Sequence, residues 1–261
     1  MTNAHIVLTT ATATAAAVAG SPGVALSGDS LITRNYGTRP RIISVWQTLQ
    51  TGGFGQLSWP TAHDTTRGWR VGSDAAAVQI TLPLGSVLPI TPQEQIACLI
   101  AGTAVAGDVE QMSWLTLYDE GHGQSLMDWP SVRNATEKMT TVDASLVSVA
   151  GGYGPAAGEL INADSDLLLA NRDYAILGAS SRTKVHCIAI QGPNSGNDKI
   201  GMPGNLRGEV CAQWFKLLSN TLGLPLIPIF NSGNKGSTNL FVTADENAGT
   251  FALTLHLALL K

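Results

Sequence analysis

Charge is what this chain has least of. Only 13% of its 261 residues are Asp, Glu, Lys or Arg, about half the ~25% usual in soluble domains. A lone soluble domain needs a charged skin, so a surface this poor in charge predicts extensive burial against other subunits. Clustered basic residues are missing too. The 15 Lys and Arg are scattered and the net charge is −4, which argues against a nucleic-acid groove. The three cysteines, Cys98, Cys187 and Cys211, are odd in number and have no CxxC spacing, which argues against a disulfide framework and against a zinc site. Each lies among apolar neighbours (IACLIA, VHCIAI, EVCAQW) and reads as a buried free thiol. No apolar run approaches the ~18 residues of a membrane-crossing helix. The opening MTNAHIVLTTATATAAAVAGSPG lacks the basic start and apolar centre of a signal peptide, so a soluble, unprocessed protein made inside the cell is expected.

Catalytic signatures are also lacking. There is no GxSxG elbow, no Gly-Lys-Ser/Thr phosphate loop, and no HxH pair of the kind cupin jelly-roll enzymes carry. His63–Asp64 has no recognisable nucleophile beside it and reads as a loop contact to a neighbouring subunit. Asp119, Glu120 and His122, and separately Glu159, Asp164 and Asp166, are small oxygen-rich clusters without the spacing of a cation loop. They read as a solvated linker and as Asx turns. His186 and His256 alternate with apolar residues and read as core or interface histidines. Of Trp46, Trp59, Trp69, Trp114, Trp129 and Trp214, four fall in strand patterns, where packing is the expectation. The sequence therefore assigns no catalytic, cofactor-binding or metal-binding residue, and no cofactor.

What the chain does have is strand signals, twice over. Residues 1–23 are Ala, Thr and Val closed by Gly20, Ser21, Pro22 and Gly23, and read as an N-terminal arm ordered by packing on something else. From Val24, short β-branched and aromatic stretches follow: RIISVWQTL at 41–49, FGQLSW at 54–59 stopped by Pro60, GWRVG at 68–72, AVQITLPL at 77–84, then strands within 95–105 and at 110–118. Residues 119–141 are polar and turn-rich, with Pro130 placed to open a short helix through about Lys138. Strands resume near Val142, then at 166–170, 174–179 and 185–191. One helix is expected from an Asn205 cap through Leu206, Val210, Trp214, Leu217 and Leu218 to Gly223. The last stretch, TFALTLHLALL, reads as a strand buried on both faces. Residues 39–69 laid over 172–202 match at Arg39/Arg172, Ile43/Ile176, Pro60/Pro193 and Gly68/Gly201. Further on, Pro89–Ile90 matches Pro228–Ile229, and Leu115–Thr116–Leu117 matches Leu253–Thr254–Leu255. The punctuation is collinear, so the chain reads as one β-unit used twice.

Tandem β-lobes of this size, joined by a short helical linker with little charge and no enzyme motif, resemble the double jelly-roll major capsid proteins of tailless icosahedral viruses. The resemblance is one of architecture and covers nearly the whole chain. It implies a mainly β fold of two tandem jelly-roll sandwiches: an arm at 1–23, a first jelly roll at 24–120, a linker at 121–141 and a second jelly roll at 142–261 that carries a helix. It further implies a non-enzymatic structural virion protein, made in the host cytoplasm and located in the capsid. Its partners would be itself, as a homotrimer and in neighbouring trimers, with minor capsid proteins or an internal membrane as further neighbours and no specific nucleic acid. The alternative is a trimeric β-sandwich binding module, either a lectin-like attachment protein or an accessory or cement virion protein.

Overall fold

A computed structural model of the chain describes residues 4–14, 24–25, 40–48, 54–61, 69–72, 79–81, 88–101, 109–119, 123–148, 167–181, 185–204, 208–244 and 249–261. The fold is mainly β, built of antiparallel sheets. In the first half the strands are β1 (His5–Thr14), β2 (Val24–Ala25), β3 (Arg41–Thr48), β4 (Phe54–Ser58), β5 (Trp69–Gly72), β6 (Gln79–Thr81), β7 (Leu88–Pro89), β8 (Ala97–Ala101) and β9 (Val109–Tyr118). A connecting region holds β10 (Leu126–Met127) and helix α1 (Trp129–Ala135). The second half contains β11 (Thr136–Ser148), β12 (Asp173–Ser181), β13 (Val185–Gln191), β14 (Ile200–Pro203), helices α2 (Gly208–Ala212) and α3 (Trp214–Leu222), then β15 (Ile227–Asn231), β16 (Asn239–Ala244) and β17 (Gly249–Leu260).

Both halves are wired alike. The first half has a large sheet ordered β2-β1-β9-β3-β6, with β7 also on β3, and a small sheet β5-β4-β8. The second half has β10-β15-β12-β17-β11 and β14-β13-β16. Certain pairs nest in sequence: β4 with β5 lies inside β3 with β7, which lies inside β1 with β9. Likewise β13 with β14 lies inside β12 with β15, inside β11 with β17. A bulge even recurs, between Ile42 and Ser44 where β3 meets β9 and between Ile176 and Gly178 where β12 meets β17. Counted from that bulge, Leu115 corresponds to His256 and Ile43 to Leu177. The sequence matches of Leu115 to Leu253 and Ile43 to Ile176 were therefore out of register, because identical letters recur along apolar strands while pairing fixes position.

Several boundaries fall elsewhere than the sequence suggested. The stretch read as an arm supplies β1, which pairs with β9 from His5 opposite Tyr118 to Thr14 opposite Val109. Ile, Val and Thr favour a strand and Ala a helix; pairing with β9 and the burial of Ile6, Val7 and Leu8 decide for the strand. α1 ends at Ala135 rather than Lys138, and the second lobe's first strand starts at Thr136, inside the expected linker. Asp128 caps α1 by accepting from the Ser131 N–H at 2.7 Å, with Pro130 in the first turn. The expected strand at 166–170 is a turn where described, with Leu168 buried between exposed Leu167 and Leu169. The expected single helix is interrupted at Gln213, while Gly223 ends it at φ 65° as a left-handed cap. Asn205 and Leu206 lie outside the described residues. β17 buries both faces only over its last turns: Ala252 is exposed and Thr254 and His256 are half-buried.

The lobes share a core. The bulge at Ile43 sends β3's side chains two ways. Ile42 and Val45 join Leu57, Trp59, Met112 and Trp114 inside the first lobe. Ile43 and Trp46 instead join Ile6, Leu8, Leu115 and Leu117 in a cluster continuous with the second lobe's interior. The first lobe's large sheet is thus buried on both sides, and its outer face is covered by the second lobe.

Candidate functional site

Polar groups concentrate in two places. The first is the seam between the lobes. His5 Nε2 lies 2.6 Å from Asp198 Oδ2. Gln124 reads the backbone of β1 in both directions, accepting from the Ile6 N–H at 2.8 Å and donating to the Ile6 carbonyl at 2.7 Å. The Leu8 N–H donates to the Lys199 carbonyl at 2.9 Å. Deeper in, Thr10 Oγ1 and Ser113 Oγ are 2.8 Å apart, and Ser113 Oγ is 2.8 Å from His186 Nε2. Burial pushes the His186 imidazole down to a pKa of about 3, so it is neutral. A Ser–His contact at that distance has the form of a nucleophile with its base. Thr10, Ser113 and His186 are all fully buried, however, and no substrate could reach them. The seam fixes one lobe on the other.

The second place is a groove of about 860 Å³ over the outer face of the second lobe's large sheet, bordered by Met139, Thr141, Leu177, Ser180, Gln213 and His256. His256 Nε2 is 3.1 Å from Ser180 Oγ. Partial burial lowers the His256 pKa, and the charge of Asp143 offsets part of that shift. Asp143 itself accepts from Thr254 Oγ1 at 2.5 Å. The groove is open, mixed in polarity and rimmed by Met139, whose side chain is 53% exposed.

The sequence candidates distribute plainly. His63, Asp64, Glu120, His122, Glu159, Asp164 and Asp166 lie outside the described residues. No group of three or more His, Cys, Asp or Glu able to hold a metal ion occurs among the described residues. Cys98, Cys187 and Cys211 are buried thiols, as expected. Trp46, Trp59, Trp114 and Trp214 are buried. Trp129 is half-buried beneath the Lys216 ammonium, 4.7 Å from its ring centre. His186 is a core histidine and His256 a surface one. Sequence reasoning missed His5, Thr10, Ser113, Gln124 and Asp198, whose partners are too distant along the chain to leave a local pattern.

No protein-family model matches the chain, and no curated protein does. Among solved structures, it is similar to the PBSX exported protein XepA at 11% identity and a TM-score of 0.26, over 98% of this chain and 86% of that one. It is also similar to the STIV MCP at 10% identity and a TM-score of 0.20, over 98% of this chain and 97% of that one. Likenesses this slight carry no argument about the chain.

Proposed function

We propose that this chain is a structural virion protein: a major capsid subunit of two jelly rolls that self-assembles as a trimeric, pseudo-hexagonal tile of an icosahedral shell. The observation that carries this reading is the nested pairing repeated in both halves. A jelly roll is one long antiparallel ribbon rolled into a sandwich, so its strand pairs nest around the innermost hairpin. The sequence β1·β9, β3·β7, β4·β5 has that form, and β11·β17, β12·β15, β13·β14 repeats it. The low charge supports burial between subunits.

On this reading the protein acts by assembly and not by catalysis. Its partners are further copies of itself, with minor capsid proteins or an internal membrane as neighbours. It is made in the host cytoplasm and resides in the capsid. Light scattering on the purified chain, with negative-stain images of the same sample, tests this. A mass near three chains of 27.2 kDa each with a hexagonal outline is expected. A monomer at all concentrations overturns it.

A trimeric binding module, lectin-like or accessory to a virion, is the second reading, and the groove beside His256 is what favours it. Burial of Trp46, Trp59, Trp114 and Trp214 leaves only the half-buried Trp69 and Trp129, of the six tryptophans, as platforms such a module could use for sugar.

A further inference from the structure

The repeat shows what covers a large sheet's outer face when a partner lobe is present. In the first lobe, Ser44, Leu115 and Leu8 stand side by side across β3, β9 and β1, and Trp46, Ser113 and Thr10 form the next row. Both rows are buried, in a sheet whose outer side chains pack into the second lobe's core. Counted from the shared bulge, the corresponding rows of the second lobe are Gly178, His256 and Thr141, then Ser180, Thr254 and Asp143. Here the outcome differs. Thr141 and Asp143 are exposed, Ser180 and His256 only half-buried, and the groove opens above them.

The strand edges differ in the same way. On β1 the Ile6 and Leu8 N–H groups are met by Gln124 and Lys199 from beyond the first lobe. Their counterparts on β11 are Met139 and Thr141, at the edge of the sheet order β10-β15-β12-β17-β11. A long edge strand with an exposed apolar side chain is a ready site for a further chain.

We propose that this edge and groove seat the first lobe of a second copy of the chain, repeating between copies the contact that joins the lobes within one. The inference rests on the assembly reading and names the surface that assembly uses. The contact is heterologous, so its repetition must close into a ring or run on as a filament. It is not an identical copy of the internal seam. α2 already occupies part of the seat, since a Cβ on Gly178 would lie 2.0 Å from the Cys211 carbonyl oxygen. Thr141, Asp143, Ser180 and His256 also stand where Leu8, Thr10, Trp46 and Leu115 stand in the first lobe. The contact between copies is therefore more polar than the internal one, and wetter.

Light scattering on wild type, Met139→Arg and Thr141→Lys tests the seat. Both side chains are exposed, so neither change threatens folding, and circular dichroism with a thermal melt checks this for each variant. The expected result is an oligomeric wild type and folded variants at the mass of one chain, with the amides of Met139 and Thr141 protected from hydrogen exchange only in the oligomer. An oligomeric wild type with equally oligomeric folded variants overturns the seat and leaves the assembly reading standing. A monomeric wild type overturns both.

Discussion

Ser113 of β9 and His186 of β13 meet Oγ to Nε2 at 2.8 Å, one from each lobe, with both side chains fully buried. Thr10 extends the contact from a third strand at 2.8 Å. The seam between the lobes thus carries a titratable group held neutral, and its stability must depend on pH. The folded His186 has a pKa of about 3, against an ordinary value near ~6.5 in the unfolded chain. Below ~6.5 the unfolded state takes up a proton that the folded state refuses, so stability is complete above that value and falls as pH drops towards 3. The slope is at most about 1.4 kcal/mol per pH unit. Urea unfolding from pH 7 to pH 4 on wild type and His186→Gln should show a flatter profile for the variant. Parallel profiles would mean that His186 is not the buried group titrating.

Trp46 of the first lobe lies edge-on to Trp214 of α3, with ring centres 6.1 Å apart, inside a cluster that runs through both lobes. The lobes should therefore unfold together. Trp46→Ala should cost about 3–5 kcal/mol, and calorimetry should show one transition moving down in temperature. Two resolved transitions in wild type would contradict the shared core.

The N-terminal stretch follows the same logic. An arm can be removed without harm, but β1 lies between β2 and β9, and Ile6 and Leu8 are fully buried. Deleting residues 2–14 should leave little soluble folded protein, and near-native circular dichroism of the truncated chain would show β1 to be dispensable.

How much of this was legible follows from which forces are local. The strands RIISVWQT and FGQLS declare themselves through β-branched and aromatic residues, and the stop at Pro60 and the cap at Gly223 through backbone constraints. β1 is less plain, because its Ala residues favour a helix where Ile, Val and Thr favour a strand, and the partner that decides lies about a hundred residues away. The repeat was visible as punctuation but misaligned, since identical letters recur along apolar strands while only the pairing fixes position. The seam was invisible: His5 and Asp198 are separated by 193 positions.

The cysteines make the sequence reading directly measurable. Cys98, Cys187 and Cys211 are at most 2% exposed, and burial pushes the Cys98 thiol up to about 12. A thiol needs both access and thiolate character to react, so Ellman's reagent should find no reactive thiol in the native protein and all three after denaturation. A thiol reacting natively at neutral pH would place at least one of them at the surface.

Two glycines pack closely for different reasons, and their substitutions should separate. A Cβ on Gly178 would meet backbone, the Cys211 carbonyl oxygen at 2.0 Å and the Ala212 carbonyl carbon at 2.7 Å. A Cβ on Gly201 would meet only the end of the Leu8 side chain, at 2.4 Å from Cδ2. A side-chain end can change rotamer, whereas a helix must be displaced whole. Gly178→Ala should therefore destabilise by more than the ~1–3 kcal/mol typical of overpacking, and Gly201→Ala by less than Gly178→Ala. Urea midpoints of the two variants decide it. Equal midpoints would mean that α2 shifts as readily as a leucine rotamer, and that its hold on the second lobe's sheet is loose.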